Sequence, residues 1–158
     1  MSIEIEPIGY VSASRTQATD DFWGSKISVI KLSENYEPEA LAGLDSFSHV
    51  EVIFVFDRVD PAKIVSDARH PRNNKAWPKI GIFAQRGKNR PNRLGSTICR
   101  VVCIDGRELH VEELDAIDGT PVVDLKPVMK EFLPRVEVIQ PDWSTELMND
   151  YWKVEKDD

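Results

Sequence analysis

Apolar and polar residues alternate through several short stretches of this chain, which predicts strands more than helices. IEIEPIGYVSAS (3–14) alternates in this way, and Pro7 and Gly9 permit a bend or an edge position. KISVIKL (26–32) puts Ile27, Val29 and Lys31 on one face against Lys26, Ser28 and Ile30 on the other. Its β-branched content predicts a strand. HVEVIFVFDRV (49–59) carries a nearly continuous apolar run from Val50 to Phe56, which predicts a strand buried on both faces. KIGIFAQ (79–85) reads as a strand. GSTICRVVCI (95–104) and RELHVEELD (107–115) read as a hairpin turning at Asp105-Gly106. IDGTPVVDLKP (117–127) is turn-rich and then extended.

Helical signals are few. EPEALAGL (37–44) has Pro38 near a start and Gly43 near an end, so a short helix is expected. PDWSTELMNDYWKV (141–154) predicts a C-terminal amphipathic helix. Asp142 or Ser144 can cap it, and Trp143, Leu147 and Tyr151 recur at helical spacing. Residues 60–79, with Pro61, Pro71, Pro78, Asn73 and Asn74, read as a long irregular loop, a length often tied to function. Many strands and a hairpin predict a mainly β domain, an antiparallel barrel or sandwich with helical additions.

Composition refines this picture. The 158 residues, 41% hydrophobic and 30% charged, suit one soluble domain. No apolar run approaches the roughly 20 residues of a membrane span. The N-terminus lacks a basic region followed by an apolar one, so no secretory signal is expected. Cys99 and Cys103 would face the same side of a strand about 13 Å apart, too far for a disulfide. They read as buried thiols in a reducing, cytoplasmic compartment. The scattered His49, His70 and His110 lack metal-ligand spacing, so no metal site is expected. There is no P-loop, H-E-x-x-H, G-x-S-x-G or strand-borne G-x-G-x-x-G.

Charge is segregated. The formal net charge is −7, yet residues 69–93 hold eight Lys/Arg and no Asp/Glu, against 12 Lys/Arg and 27 Asp/Glu elsewhere. This points to an anionic partner or to a contact with an acidic surface. Within the window, RGKNRPNRLG (86–95) combines Arg86, Lys88, Arg90 and Arg93 with Pro91, Asn92 and two glycines. Arginine suits planar anions and nucleobase faces, and proline and asparagine preorganise the backbone. In LDAIDGTPVVDLKP (114–127), Asp118 reads as turn chemistry. Asp124 and Lys126 share a strand face at ion-pair spacing, and either could touch a substrate instead. Asp57-Arg58 closes the longest apolar run and matters chemically only if that end meets the basic loop.

Four ordered segments, IGYVSAS, GLDSFSHVEVIFVFDRV, RHPRNNKAWPKIGIFAQRGKNRPNRLGST and LDAIDGTPVVDLKP, together resemble the TsaA/TrmO-like family over about residues 6–133. The resemblance implies a small β-barrel that dimerises and binds S-adenosyl-L-methionine. It implies methyl transfer to the N6 atom of threonylcarbamoyladenosine in tRNA. Carried onto matching positions, the methyl-donor site would involve Trp23, Gly24, Ser25, Lys26, Asp57, Arg58, Arg86, Ser96, Leu114, Asp115, Ala116 and Ile117. The triplet Arg90-Pro91-Asn92 would shape the cleft. Lys88, Arg90, Asn92, Arg93 and Lys126 would meet the acceptor. A nitrogen that accepts a methyl group must lose a proton, and Asp57 and Asp115 are the candidate bases.

The chain departs from the family pattern at Asp57, where relatives often have histidine, and at Gly87 and Arg93-Leu94. Family members often carry a further C-terminal domain; after the barrel, expected over 1–135, this chain has a tail, 136–158, with one expected helix. That helix would pack on its own barrel or on a dimer partner. Two other functions stay open: a non-catalytic RNA-binding barrel, and a methyltransferase for a small molecule.

Overall fold

The computed structural model describes residues 1–156. Its strands are β1 (Gly9–Ser12), β2 (Ile27–Leu32), β3 (His49–Val55), β4 (Ala68–Arg69), β5 (Ile80–Gly81), β6 (Leu94–Asp105), β7 (Glu108–Glu112) and β8 (Pro121–Pro127). Six of them close an antiparallel barrel in the order β1-β2-β7-β6-β3-β8, and β4 and β5 form a separate two-stranded ladder. The mainly β barrel is therefore the architecture, and closure leaves the barrel itself without a free edge.

Side-chain alternation explains which residues fill it. β3 sends Val50, Val52 and Phe54 inward, β2 sends Ser28, Ile30 and Leu32, and β7 sends Leu109 and Val111. They meet Val11, Cys99, Leu114, Ala116 and Val122 in one core. The expectation that β3 is buried on both faces needs correction. Its outer residues His49, Glu51, Ile53 and Val55 are only half-buried, because barrel strands have one inner face and no covering layer here.

Three further expectations are corrected. KIGIFAQ is a strand only at Ile80–Gly81; Ile82–Ala84 turn into a 3-10 helix, since β4 offers just two partner residues. The hairpin turns at Gly106-Arg107 rather than Asp105-Gly106: Asp105 pairs with Glu108, and Gly106 takes the positive φ of 59°. The cysteines do not share a side. Between Val101 and Cys103 the β6–β7 register shifts by a bulge, so Cys99 is buried and Cys103 exposed.

The tail also differs from expectation. The C-terminal helix α1 spans only Asp142–Leu147, with Pro141 as its N-cap and no side-chain cap from Asp142 or Ser144. Met148–Trp152 continue as turns. The EPEALAGL helix is a 3-10 turn, Pro38–Leu41, and ends where Gly43 takes a φ of 88°. The 60–79 loop contains β4 and two 3-10 turns.

Topology fixes where function can sit. β1 and β2, β3 and β6, and β7 and β8 are joined by residues 13–26, 56–93 and 113–120. All three connections emerge at one rim, because Ser12 lies opposite Val29, Glu112 opposite Ile27, Val55 opposite Leu94 and Phe54 opposite Val122. The β6–β7 hairpin, the β2–β3 connection and the end of β8 lie at the other rim.

Candidate functional site

The shared rim gathers most of the residues singled out from the sequence, and Asp115 is its hub. Glu113, at a φ of 68°, redirects the chain as it leaves β7, and its amide donates to the Lys26 carbonyl at 2.8 Å. Leu114 and Ala116 then enter the core, and Asp115 between them faces the rim. One Asp115 oxygen accepts the Thr97 hydroxyl, and the other accepts the Tyr151 hydroxyl. Burial raises the pKa of Tyr151 well above the ordinary range, and the Asp115 charge and hydrogen bond raise it further. Arg86 and Arg72 act in the opposite direction. Arg86 is fixed beside this hub by its bond to the carbonyl of Ser96, the residue before Thr97.

The loop 13–26 forms the second wall. Arg15 stitches it, donating to Thr19 Oγ1 at 2.6 Å, to the Asp21 carbonyl at 3.0 Å and to the Phe22 carbonyl at 2.8 Å. Its guanidinium also lies 4.0 Å above the Trp23 ring. Trp23 is 4% exposed, and its indole Nε1–H is buried with no acceptor among the described residues. A buried donor without a partner costs about 1–3 kcal/mol. Phe22 and Ser25 bracket this segment with φ of 67° and 57°.

The basic loop forms the third wall. Arg86 Nη2 donates to the Ser96 carbonyl. Arg90 Nη1 donates to the Gln85 carbonyl at 2.6 Å, and Arg93 Nη1 to the Val59 carbonyl at 3.4 Å. Asn92 and Arg93 take φ of 61° and 52°, so the Pro91–Arg93 turn is left-handed where the sequence suggested only a turn. Arg72 pairs with Asp21 at 3.0 Å. The cationic excess is thus partly spent on the fold. Lys75, Lys79 and Lys88 make no ion pair among the described residues.

Other expected positions fall differently. Arg58 reaches the Thr16 and Asp118 carbonyls at 3.1 and 3.0 Å, clamping two rim connections together. Asp57 is exposed beside it, with no side-chain hydrogen bond among the described residues. Asp118 is structural, but it accepts the Ala13 amide at 3.0 Å rather than an amide of its own turn. Ser96 turns its hydroxyl outward to Glu51 at 2.7 Å, so only its carbonyl serves the rim. Lys126 lies opposite Glu51, toward the far rim, and pairs with Asp124 at 3.0 Å. The structure does not bring it to the basic loop. Sequence reasoning missed Arg15, Arg72, Thr97 and Tyr151. Thr97, a polar residue at an inward position of β6, carried the one available signal.

A closed six-stranded antiparallel barrel with an arginine-lined polar rim defines the class of protein. Residues 17–132 match the family model described as the tRNA-methyltransferase O N-terminal domain, and the chain belongs to that family. A protein named tRNA (adenine(37)-N6)-methyltransferase from Homo sapiens is 30% identical over 86% of this chain, which covers 32% of the relative. One of the same name from Escherichia coli K12 is 38% identical over 68% of this chain and 45% of the relative. The chain thus spans less than half the length of these relatives. A solved TrmO structure from Pseudomonas aeruginosa superposes with a TM-score of 0.72 at 24% identity, covering 89% of this chain and 61% of that one. That likeness concerns the fold.

Proposed function

We infer that this chain binds S-adenosyl-L-methionine at the rim and transfers the methyl group to an adenine N6 in tRNA. Threonylcarbamoyladenosine is the favoured acceptor. The observation that carries the reading is that Asp115, Arg86 and Trp23, whose buried indole donor is unpaired among the described residues, lie on the three connections that meet at one rim. The names of the relatives supply the activity and the tRNA adenine.

The residues present fit the donor. Trp23 Nε1 offers a buried hydrogen bond, Arg86 a cation for a carboxylate, and the 114–117 backbone a polar edge beside the apolar Leu114 and Ala116. Gly24, Ser25, Lys26, Asp57, Arg58 and Ser96 complete this wall. When bound, the donor supplies an electrophilic methyl carbon on a sulfonium. In the transfer a nitrogen–carbon bond forms as the sulfur–carbon bond breaks, and the nitrogen's proton leaves to a carboxylate or to water. The rim's task is to hold the two reactants in line and exclude water. Both Asp115 oxygens already accept a hydroxyl hydrogen. Exposed Asp57 is the freer carboxylate.

Lys88, with Lys75 and Lys79, suits the phosphates of an RNA acceptor, and Arg90, Asn92 and Arg93 shape the approach. We place the barrel at 1–135 and the tail at 136–158. We also assign a homodimer to the chain, since Ile27, Ile98 and Val102 expose apolar side chains on the outer wall.

Titration calorimetry tests the reading. Donor Kd should be on the order of micromolar, and Arg86→Glu should abolish the heat. An absence of saturation at millimolar donor would refute donor binding, and an unaffected Arg86→Glu would remove that residue from the site. A methylated nucleoside lost from cellular tRNA on deletion of the gene would identify the acceptor. Salt-sensitive RNA binding with no donor dependence would instead favour a non-catalytic barrel, and methylation of a small molecule would remove tRNA.

A further inference from the structure

The tail does not end where β8 leaves it. β8 finishes at the far rim, yet Asp150 to Glu155 lie on the rim that carries the candidate site. Residues 129–142 bridge the two and are exposed throughout, and none belongs to the core. A segment tied down only at its end, through an exposed linker, can open at little cost to the barrel.

What it ties to is specific. The amides of Phe22, Trp23 and Gly24 donate to the carbonyls of Asp150, Tyr151 and Lys153 at 3.1, 2.8 and 3.3 Å. The approach is close: a methyl group on Gly24 would fall on the Trp152 carbonyl. The Tyr151 hydroxyl fills the second oxygen of Asp115. Glu155 lies 3.1 Å from Lys26 and 3.7 Å from Arg15, and Glu146 accepts the Trp77 indole N–H at 2.8 Å. The tail therefore occupies three main-chain donors and the hub carboxylate of the candidate site, and Glu155 sits between the cations of Lys26 and Arg15. No ligand can use Asp115 and the 22–24 backbone while these contacts stand.

We propose that residues 142–155 form an autoinhibitory strap, latched by Tyr151 on Asp115, which must lift before the methyl donor is seated. The proposal rests on the donor-binding reading above. With the strap down, both oxygens of Asp115 carry hydroxyl hydrogen bonds and Glu155 faces Lys26 and Arg15. With it up, the same groups are released together, so donor entry and exposure of Lys26 and Arg15 are coupled.

Hydrogen–deuterium exchange and calorimetry on the full chain test this, with S-adenosylmethionine as the probe. Tyr151→Phe keeps the ring and deletes the latch hydroxyl. It should raise exchange at 22–24 and 143–153 about tenfold or more and tighten donor Kd by a similar factor, the scale of a lost bond to a charged acceptor. Glu146→Ala, at an exposed position, should act in the same direction and more weakly. In the unaltered chain, donor should speed exchange at 143–153 while protecting 114–117. Equal donor affinity in the two proteins, or strap protection that increases with donor, would overturn the strap and leave donor binding intact. If donor binds neither protein, the donor-binding reading fails and the strap falls with it.

Discussion

Gly95 is the second residue of β6, just after the basic loop, and replacing it with alanine offers a direct measure of how tightly the rim is built. A Cβ there would lie 2.5 and 2.6 Å from two Phe54 ring atoms and 2.9 Å from the Phe56 ring. Ordinary carbon contacts are about 3.5–4.0 Å, so the methyl group overlaps the ring by about 1 Å. Phe54 cannot swing aside easily, being 1% exposed and packed edge-on against Phe56 at 5.3 Å. Overpacking of this kind costs about 1–3 kcal/mol. For a chain of this length that lowers Tm by about 2–4 °C per kcal/mol. Urea denaturation should show a lower midpoint with an unchanged slope. The combination Gly95→Ala/Phe54→Leu should cost less than the two single changes together, because the smaller side chain makes room. The coupling should be at least about 1 kcal/mol. An unchanged midpoint for Gly95→Ala, or strictly additive costs, would refute the packing argument. Ser96 follows Gly95 and holds Arg86 through its carbonyl, so the same substitution should also weaken donor binding.

Three further predictions concern thiol reactivity, titration and charge. Burial and the nearby Asp115 and Glu113 carboxylates push the Cys99 thiol above its ordinary range, so a thiol reagent should modify only Cys103 in the native chain and both cysteines after unfolding. Both Cys99 and Tyr151 hold their protons more tightly when folded, so their contribution is intact below their unfolded values. It is lost as pH rises above about 8.5 for the thiol and about 10 for the phenol. Stability measured from pH 8 to 11 should fall, and less steeply in Cys99→Ala and Tyr151→Phe; identical slopes would contradict this. Reversing the charge of Lys75, Lys79 and Lys88 together should weaken tRNA binding and flatten its salt dependence by about three phosphate contacts. Donor affinity should stay unchanged, and an unaltered salt slope would remove these lysines from the RNA path.

Most of the barrel is legible in the sequence, because side-chain alternation is a local property. Val50, Val52 and Phe54, or Leu109 and Val111, mark an inward face without reference to any other strand. The local signal fails where partners decide. Ile82–Ala84 are as apolar as a strand but turn into a 3-10 helix after one last ladder bond, from the Ile82 amide to the Asp67 carbonyl. The β6 bulge flips Cys103 outward through a register set jointly with β7.

The site divides in the same way. Charge segregation over 69–93 and the Asp115 segment stand out in the sequence itself. It could not say which cations are free. Arg72, Arg90 and Arg93 are held by Asp21 or by main-chain carbonyls, whereas Lys75, Lys79 and Lys88 pair with no acid among the described residues. Thr97, Asp115 and Tyr151 lie 18 and 36 residues apart along the chain, and no local spacing links them. The sequence by itself determined the faces of the strands and the excess of positive charge in one loop. Barrel closure decided the rest: antiparallel order delivers three connections and the returning tail to one rim, and there Asp115 takes its partners, Thr97 and Tyr151, from distant parts of the chain.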